Sequence, residues 1–239
     1  MQRREFIRFC AAGAAGAAAG AAPVAGIVDA AIDATPHFYT RTQLIDSRGA
    51  PLRAAKVPPH RNLIFHYPYD TTPCFLLNLG RPVSAAARLK TADQRSYEWK
   101  GGVGAGRSLV AYSAICAHQL AYPTRDISFI SYRTERGAVN RHGNVIHCCA
   151  EHSQYDPAHG ARVVAGPAPQ PLAAILLEHV AASDELYAVG TLGGEMFEQF
   201  FEKYQIRLQL ERGGATKQPV GETALVTELD SYCRQQVKC

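Results

Sequence analysis

The chain has 239 residues, 47% of them hydrophobic and 19% charged, with 20 Gly and 14 Pro. This is ordinary globular composition at the size of one domain, and it excludes a disordered chain, a collagen and a polytopic membrane protein. The 25 Lys and Arg against 21 Asp and Glu give a net charge of +4 without any basic block after the first eight residues, so nucleic acid is not an expected partner.

Residues 1–8 read MQRREFIR and lead into residues 9–28, a stretch without a charged side chain. Charged residues followed by an apolar run are the order of an export signal. Arg3-Arg4 with Phe6 and Ile7 behind them resembles the twin-arginine signal of the bacterial route that exports folded proteins, which implies a periplasmic protein loaded with its cofactor in the cytoplasm. The run is long enough to span a bilayer, but it is mostly Ala and Gly and weakly apolar for that purpose. Residues 1–34 are therefore read as a signal, or as a membrane anchor where cleavage between Ala22 and Ala34 does not occur. Cys10 precedes the run and is badly placed for lipid attachment.

From His37 onward, short apolar runs at 38–42, 63–67, 74–79, 108–115, 127–132, 145–149, 173–179 and 186–189 are separated by Gly and Pro clusters. They predict an antiparallel all-β domain over residues 35–212. Residues 83–100 are polar and Ala-rich and read as a loop or short helix. The Gly-rich stretch 101–106 lacks the Lys and following helix of a phosphate loop. Phe197, Phe200 and Phe201 fall on one face over 195–204, which reads as a late helix or an irregular aromatic segment. Residues 213–239 are polar and read as a mobile or partner-wrapping arm, in which Cys233 and Cys239 are candidates for a disulfide with each other or with a partner.

Three of the seven Cys and four of the nine His lie between Cys116 and His152. Cys116-Ala117-His118 and Cys149-Ala150-Glu151-His152 each stand at the end of a predicted strand, reading C-x-H and C-x-x-H. Together they offer two thiolates and two imidazoles from two loops. That donor set suits a tetrahedral zinc site or an iron–sulfur cluster with mixed ligands. Cys74 reads as a packed strand residue, and His147, His142 and His159 as core or surface histidines.

Tyr155-Asp156-Pro157 follows the second motif, and Gly166-Pro167-Ala168-Pro169-Gln170-Pro171-Leu172 comes soon after. With these segments the sequence resembles a Rieske iron–sulfur protein, and over about 73–194 it is similar to the small subunit of arsenite oxidase. The similar segments are Pro73-Cys74, Gly101-Gly102-Val103-Gly104, Val110-Ala111-Tyr112-Ser113 and residues 181–190. The resemblance implies an antiparallel Rieske-type β-sandwich with an inserted cluster-binding subdomain at about 108–172. It also implies one 2Fe-2S cluster ligated by Cys116, His118, Cys149 and His152, with residues 166–172 as a proline-rich cover.

Two departures from that pattern stand out. Rieske proteins of quinol-oxidising cytochrome bc complexes join the two loops by a disulfide, whose equivalent positions here are Ala121 and Glu151, so that bond cannot form. In addition, Cys148 stands beside Cys149, and His152 is one residue closer to Tyr155 than usual. Counting from Tyr155 nominates Cys148 as the ligand, and counting from His152 nominates Cys149. The sequence reading takes Cys149, on the ground that the bite between thiolate and imidazole is fixed by the cluster.

A core held by two thiolates and two neutral imidazoles is less negative than one held by four thiolates, so it accepts an electron more readily. Ser153 and Tyr155 are placed to donate hydrogen bonds to sulfur, which raises the potential further. The expected function is electron transfer, without catalysis by this chain alone. The expected partners are a molybdopterin-type catalytic subunit and a c-type cytochrome or cupredoxin. The alternatives are the Rieske subunit of a quinol-oxidising complex and a zinc-stabilised binding module.

Overall fold

The computed structural model describes residues 34–83, 85–137, 142–213 and 215–239. The signal reading of residues 1–34 and the placement of Cys10 lie outside them, apart from Ala34. The strands in chain order are β1 (His37–Ile45), β2 (Leu63–His66), β3 (Pro73–Asn78), β4 (Ala87–Lys90), β5 (Ser96–Trp99) and β6 (Leu109–Ser113). There follow β7 (Ile127–Ser128), β8 (Ile130–Arg133), β9 (Val145–Cys148), β10 (Ser153–Asp156) and β11 (Arg162–Ala165). The last are β12 (Ala174–Val180), β13 (Glu185–Leu192), β14 (Thr223–Leu225), β15 (Thr227–Glu228) and β16 (Gln235–Gln236). The helices are α1 (Phe197–Arg212) and α2 (Leu229–Tyr232).

Eight strands form the main sheet in the order β14-β1-β13-β12-β6-β3-β2-β15, and a four-stranded sheet runs β11-β10-β9-β8. Pairing is antiparallel except at β1–β14 and β16–β7. The expected all-β, mainly antiparallel class is the observed one. The central strands are apolar on both faces because alternate residues supply two cores. On β3 and β6, Phe75, Leu77, Val110 and Tyr112 enter one core, while Cys74, Leu76, Leu109 and Ala111 enter the other. The first core also takes Ile130, Tyr132, Ile146, Cys148 and Tyr155, so the smaller sheet packs through these residues on one face of the large one. Burial of chains the size of Tyr155 and Phe75 contributes about 2–3 kcal/mol each, and both are fully enclosed.

Three sequence expectations are corrected. Residues 83–100 are not a loop or helix but hold the β4–β5 hairpin, whose Leu89, Tyr97 and Trp99 are buried while Arg88, Lys90 and Glu98 are exposed. The predicted helix extends beyond residue 204 to Arg212, through a non-helical Tyr204 (φ −108°, ψ 15°), and ends at Gly213 with φ 64°. A left-handed residue just past a helix C-terminus is the conformation glycine adopts without a Cβ penalty. The segment after Arg212 is not a free arm. Its β14 and β15 form the two edges of the large sheet, Ala224, Val226, Leu229 and Cys233 are buried, and β16 pairs with β7. Among the described residues no helix is long and apolar enough to cross a membrane.

Candidate metal centre

The first donor loop leaves β6 and is held from behind by packing. Ile115, Leu120 and Tyr122 form a core with Phe197, Phe200, Phe201 and Leu208 of α1, so the aromatic helix backs the turn that carries Cys116 and His118. Leu120 adopts φ 59° and its N–H donates to the Cys116 carbonyl at 2.9 Å, closing the turn tightly. Cys116 is fully buried and the His118 ring is half-buried.

The second donor loop is the four-residue turn 149–152 between β9 and β10, closed by the pairing of Ser153 with Cys148. Side chains alternate across a strand. Ile146 and Cys148 face the core that contains Cys116 and Tyr155, and His147 and Cys149 face the other side. The thiol beside Cys116 is therefore that of Cys148. Cys149, which the sequence reading takes as the second thiolate ligand, is disulfide-bonded to Cys239 with a Cα–Cα distance of 5.8 Å.

The two buried sulfurs are equivalently dressed. Cys116 Sγ accepts the backbone N–H groups of His118 and Gln119, and Cys148 Sγ accepts those of Ala150 and Glu151. The Tyr155 hydroxyl lies 3.2 Å from Cys116 Sγ and accepts the Ala117 N–H at 3.1 Å. The Cys148 thiol, the Tyr155 hydroxyl and these amides hold Cys116 below the ordinary thiol range. Hydrogen bonding to Cys116, with burial, pushes the Cys148 thiol up. Burial and the neighbouring Cys116 charge push Tyr155 up as well, which keeps it a hydrogen-bond donor. The protein groups around Cys116 thus stabilise negative charge on its sulfur.

Beside the sulfurs two polar atoms are buried without a partner among the described residues: His118 Nδ1 and Ser153 Oγ. Enclosed polar atoms ordinarily find a hydrogen bond, so such a pair marks a place for a further polar group. The expectation that Tyr155 donates to sulfur agrees with the geometry, whereas Ser153 Oγ touches no protein sulfur. Glu151 and His152 stand exposed at the loop tip, with His152 at φ 58° and its ring 5.8 Å from that of His147. In the segment 166–172, Leu172 is buried in the core that contains Cys116, Ala117 and Cys148, Ala168 packs against that core, and Gly166 lies against the backbone of His152 and Ser153.

A second group of donors was not legible as a group in the sequence. His147, Cys149 and Cys239 bring their ligating atoms within 4.8 Å of one another. The two sulfurs are joined to each other, and His147 Nδ1 lies 3.5 Å from Cys239 Sγ. His147 is completely buried, and burial, with Arg133 and His152 nearby, lowers its pKa to about 4. Cys74 and Cys233 are free and buried; Cys74 lies in β3 as expected.

No family model matches the chain. Among solved structures, the soluble domain of the Rieske protein II (soxF) from Sulfolobus acidocaldarius is similar to it, with a TM-score of 0.45 and 24% identity over 66% of this chain and 82% of that one. A likeness of that size assigns no family, and the function is argued from the donor geometry.

Proposed function

We propose that this chain is an electron-transfer protein holding one Rieske-type 2Fe-2S cluster between its two donor loops, with Cys116 and Cys148 as the thiolate ligands and His118 and His152 as the imidazole ligands. The observation that carries this reading is the pair of touching buried sulfurs, each receiving two backbone N–H groups, beside the orphaned His118 Nδ1 and Ser153 Oγ. These residues fit such a cluster: soft donors lie inside, an imidazole stands at the rim, and spare hydrogen-bonding atoms border the site. When bound, the cluster supplies a one-electron carrier, at roughly −150 to +300 mV for mixed ligation against about −400 mV for plant-type all-thiolate centres.

The chain's own residues do the rest. Cys116 and Cys148 hold the site in the apolar core, and their amide and tyrosine partners favour the more negative state. Leu172 is buried in the same core as the two cysteines, and Ala168 packs against that core. His118 and His152, on the more exposed side, give electrons a short route to a docked partner.

The finer reading is the small subunit of a periplasmic, arsenite-oxidase-like molybdoenzyme, relaying single electrons to a c-type cytochrome or cupredoxin. It is supported by the sequence resemblance over 73–194, by the Arg3-Arg4 signal, and by the Cys149–Cys239 disulfide, a bond suited to an oxidising compartment. The test is iron and acid-labile sulfide analysis of protein matured in a bacterial host, with electron paramagnetic resonance after reduction. About two irons and two sulfides per chain and a rhombic signal are expected. Colourless protein, or protein holding only zinc, overturns the reading; co-purifying molybdenum tests the subunit assignment.

A further inference from the structure

The two donor loops are secured differently. The first rests on the aromatic face of α1. Among the described residues the second is met by the cover segment at Gly166 but by no aromatic helix face: Ala150, Glu151 and His152 are exposed, and His152 occupies a left-handed conformation at φ 58° that costs a non-glycine residue energy. What holds this loop is Cys149, which sits between the sulfur of Cys148 and the Ala150 and Glu151 amides that donate to it.

Cys149 is fixed by its backbone and by its side chain. Its N–H donates to the Phe129 carbonyl at 2.6 Å, and its sulfur is bonded to Cys239. The other end of that bond is anchored too. Gln235 and Gln236 pair in parallel with Ile127 and Ser128, and the Val237 N–H donates to the Ser128 carbonyl at 2.9 Å. Arg133 bonds the Val237 carbonyl, and its Nη2 lies 3.5 Å from Cys149 Sγ.

We propose that the Cys149–Cys239 disulfide is a positioning clamp: Cys239 holds the second donor loop so that the Cys148 sulfur stays opposite Cys116, and a dithiol reductant can release it. In the release step the dithiol supplies two electrons and two protons and becomes a disulfide, while the Cys149–Cys239 bond breaks to give two thiols. Cys149 and Cys239 are positioning residues in this scheme, acting through Cys148. The effect on iron rests on the cluster reading above, whereas the effect on the loop does not.

The test uses the full-length protein as purified and a Cys239→Ser variant. Hydrogen exchange at the Ala150 and Glu151 amides is expected to accelerate about tenfold or more on reduction of the wild type, with the β3 and β6 amides unchanged. Iron release to a chelator is expected to accelerate alongside, and the midpoint potential to shift. Cys239→Ser is expected to show the fast exchange, the fast iron release and the shifted potential without reductant, and no further response to it. Unchanged exchange at both amides, once two additional thiols titrate in the reduced wild type, overturns the clamp. Protein that contains no iron defeats the cluster reading, and the exchange measurement still decides the clamp. If Cys239→Ser does not fold, the comparison of oxidised with reduced wild type decides it.

Discussion

Cys148 and Cys149 are consecutive in the chain, yet their sulfurs serve opposite faces of β9: one meets Cys116 and the other is bonded to Cys239. The two positions are therefore separable by mutation. Cys148→Ser is expected to lose nearly all bound iron, because it removes a soft ligand from inside the core. Cys149→Ser is expected to retain most of it under gentle purification while releasing it faster to chelators. Iron content per folded chain measures both. Full retention in Cys148→Ser would refute the ligand assignment.

Tyr155 offers a finer probe, since its hydroxyl lies 3.2 Å from Cys116 Sγ and its ring is wholly buried. A donor to a ligand sulfur favours the reduced, more negative centre. Tyr155→Phe is expected to lower the midpoint potential while leaving the iron in place. A hydrogen bond of about 1 kcal/mol corresponds to roughly 40 mV for one electron. Protein-film voltammetry of the two proteins measures the difference.

Much of this site was legible in the sequence, and the point where it was not has a physical cause. Cys116-Ala117-His118 lies on one tight turn, so spacing along the chain already places both side chains. In the second loop the choice depends on the face of β9 that each sulfur occupies. Val145, Ile146 and His147 are all buried, so no exposed residue marks the outer face. Counting from His152 nominates Cys149, whose sulfur the strand alternation puts on the opposite side from Cys116. The β4–β5 hairpin did carry its period of two, with Leu89, Tyr97 and Trp99 inward against Arg88, Lys90 and Glu98, but only over four-residue strands. The tail was hidden because backbone pairing at β14, β15 and β16 fixes it with few apolar side chains.

The cover segment meets the second donor loop at Gly166, which has φ 86°. A Cβ there would stand 2.5 Å from the His152 carbonyl oxygen and 2.5 Å from Ser153 Cα. Both contacts are backbone, so neither can rotate away. Gly166→Ala is expected to destabilise the protein by about 2 kcal/mol or more, from backbone strain plus this collision. It should also displace the loop carrying His152, read as reduced iron occupancy in the fraction that folds. Urea unfolding and iron analysis report the two effects.

Glu151 and His152 share the exposed tip, and their replacements should part company. With His152 as the fourth ligand, His152→Gln is expected to lose iron or change the rhombic signal. Glu151→Gln is expected to keep the cluster and raise the potential, by removing a negative charge near it. Loss of the cluster in Glu151→Gln, with retention in His152→Gln, would transfer the ligand role to the carboxylate.

His147 supplies a pH prediction whose sign follows from burial. Its pKa is about 4 in the folded protein against an ordinary value near 6.5, so between those values the unfolded chain binds the additional proton. Stability contributed by keeping the ring neutral is fully present above about pH 6.5 and is lost as pH falls toward 4. The upper bound on that loss is about 3 kcal/mol for a shift of this size. Carboxylates held below their usual range, such as Asp184 beside His179, also lose stability in acid, so wild type alone does not isolate the effect. Comparison with His147→Phe does, because the replacement keeps a buried ring without a titrating nitrogen. Urea midpoints should converge for the two proteins near pH 4 and separate above pH 6.5 in favour of wild type, relative to any constant packing difference. Parallel pH profiles would show that the ring is protonated as readily in the folded state as in the unfolded one.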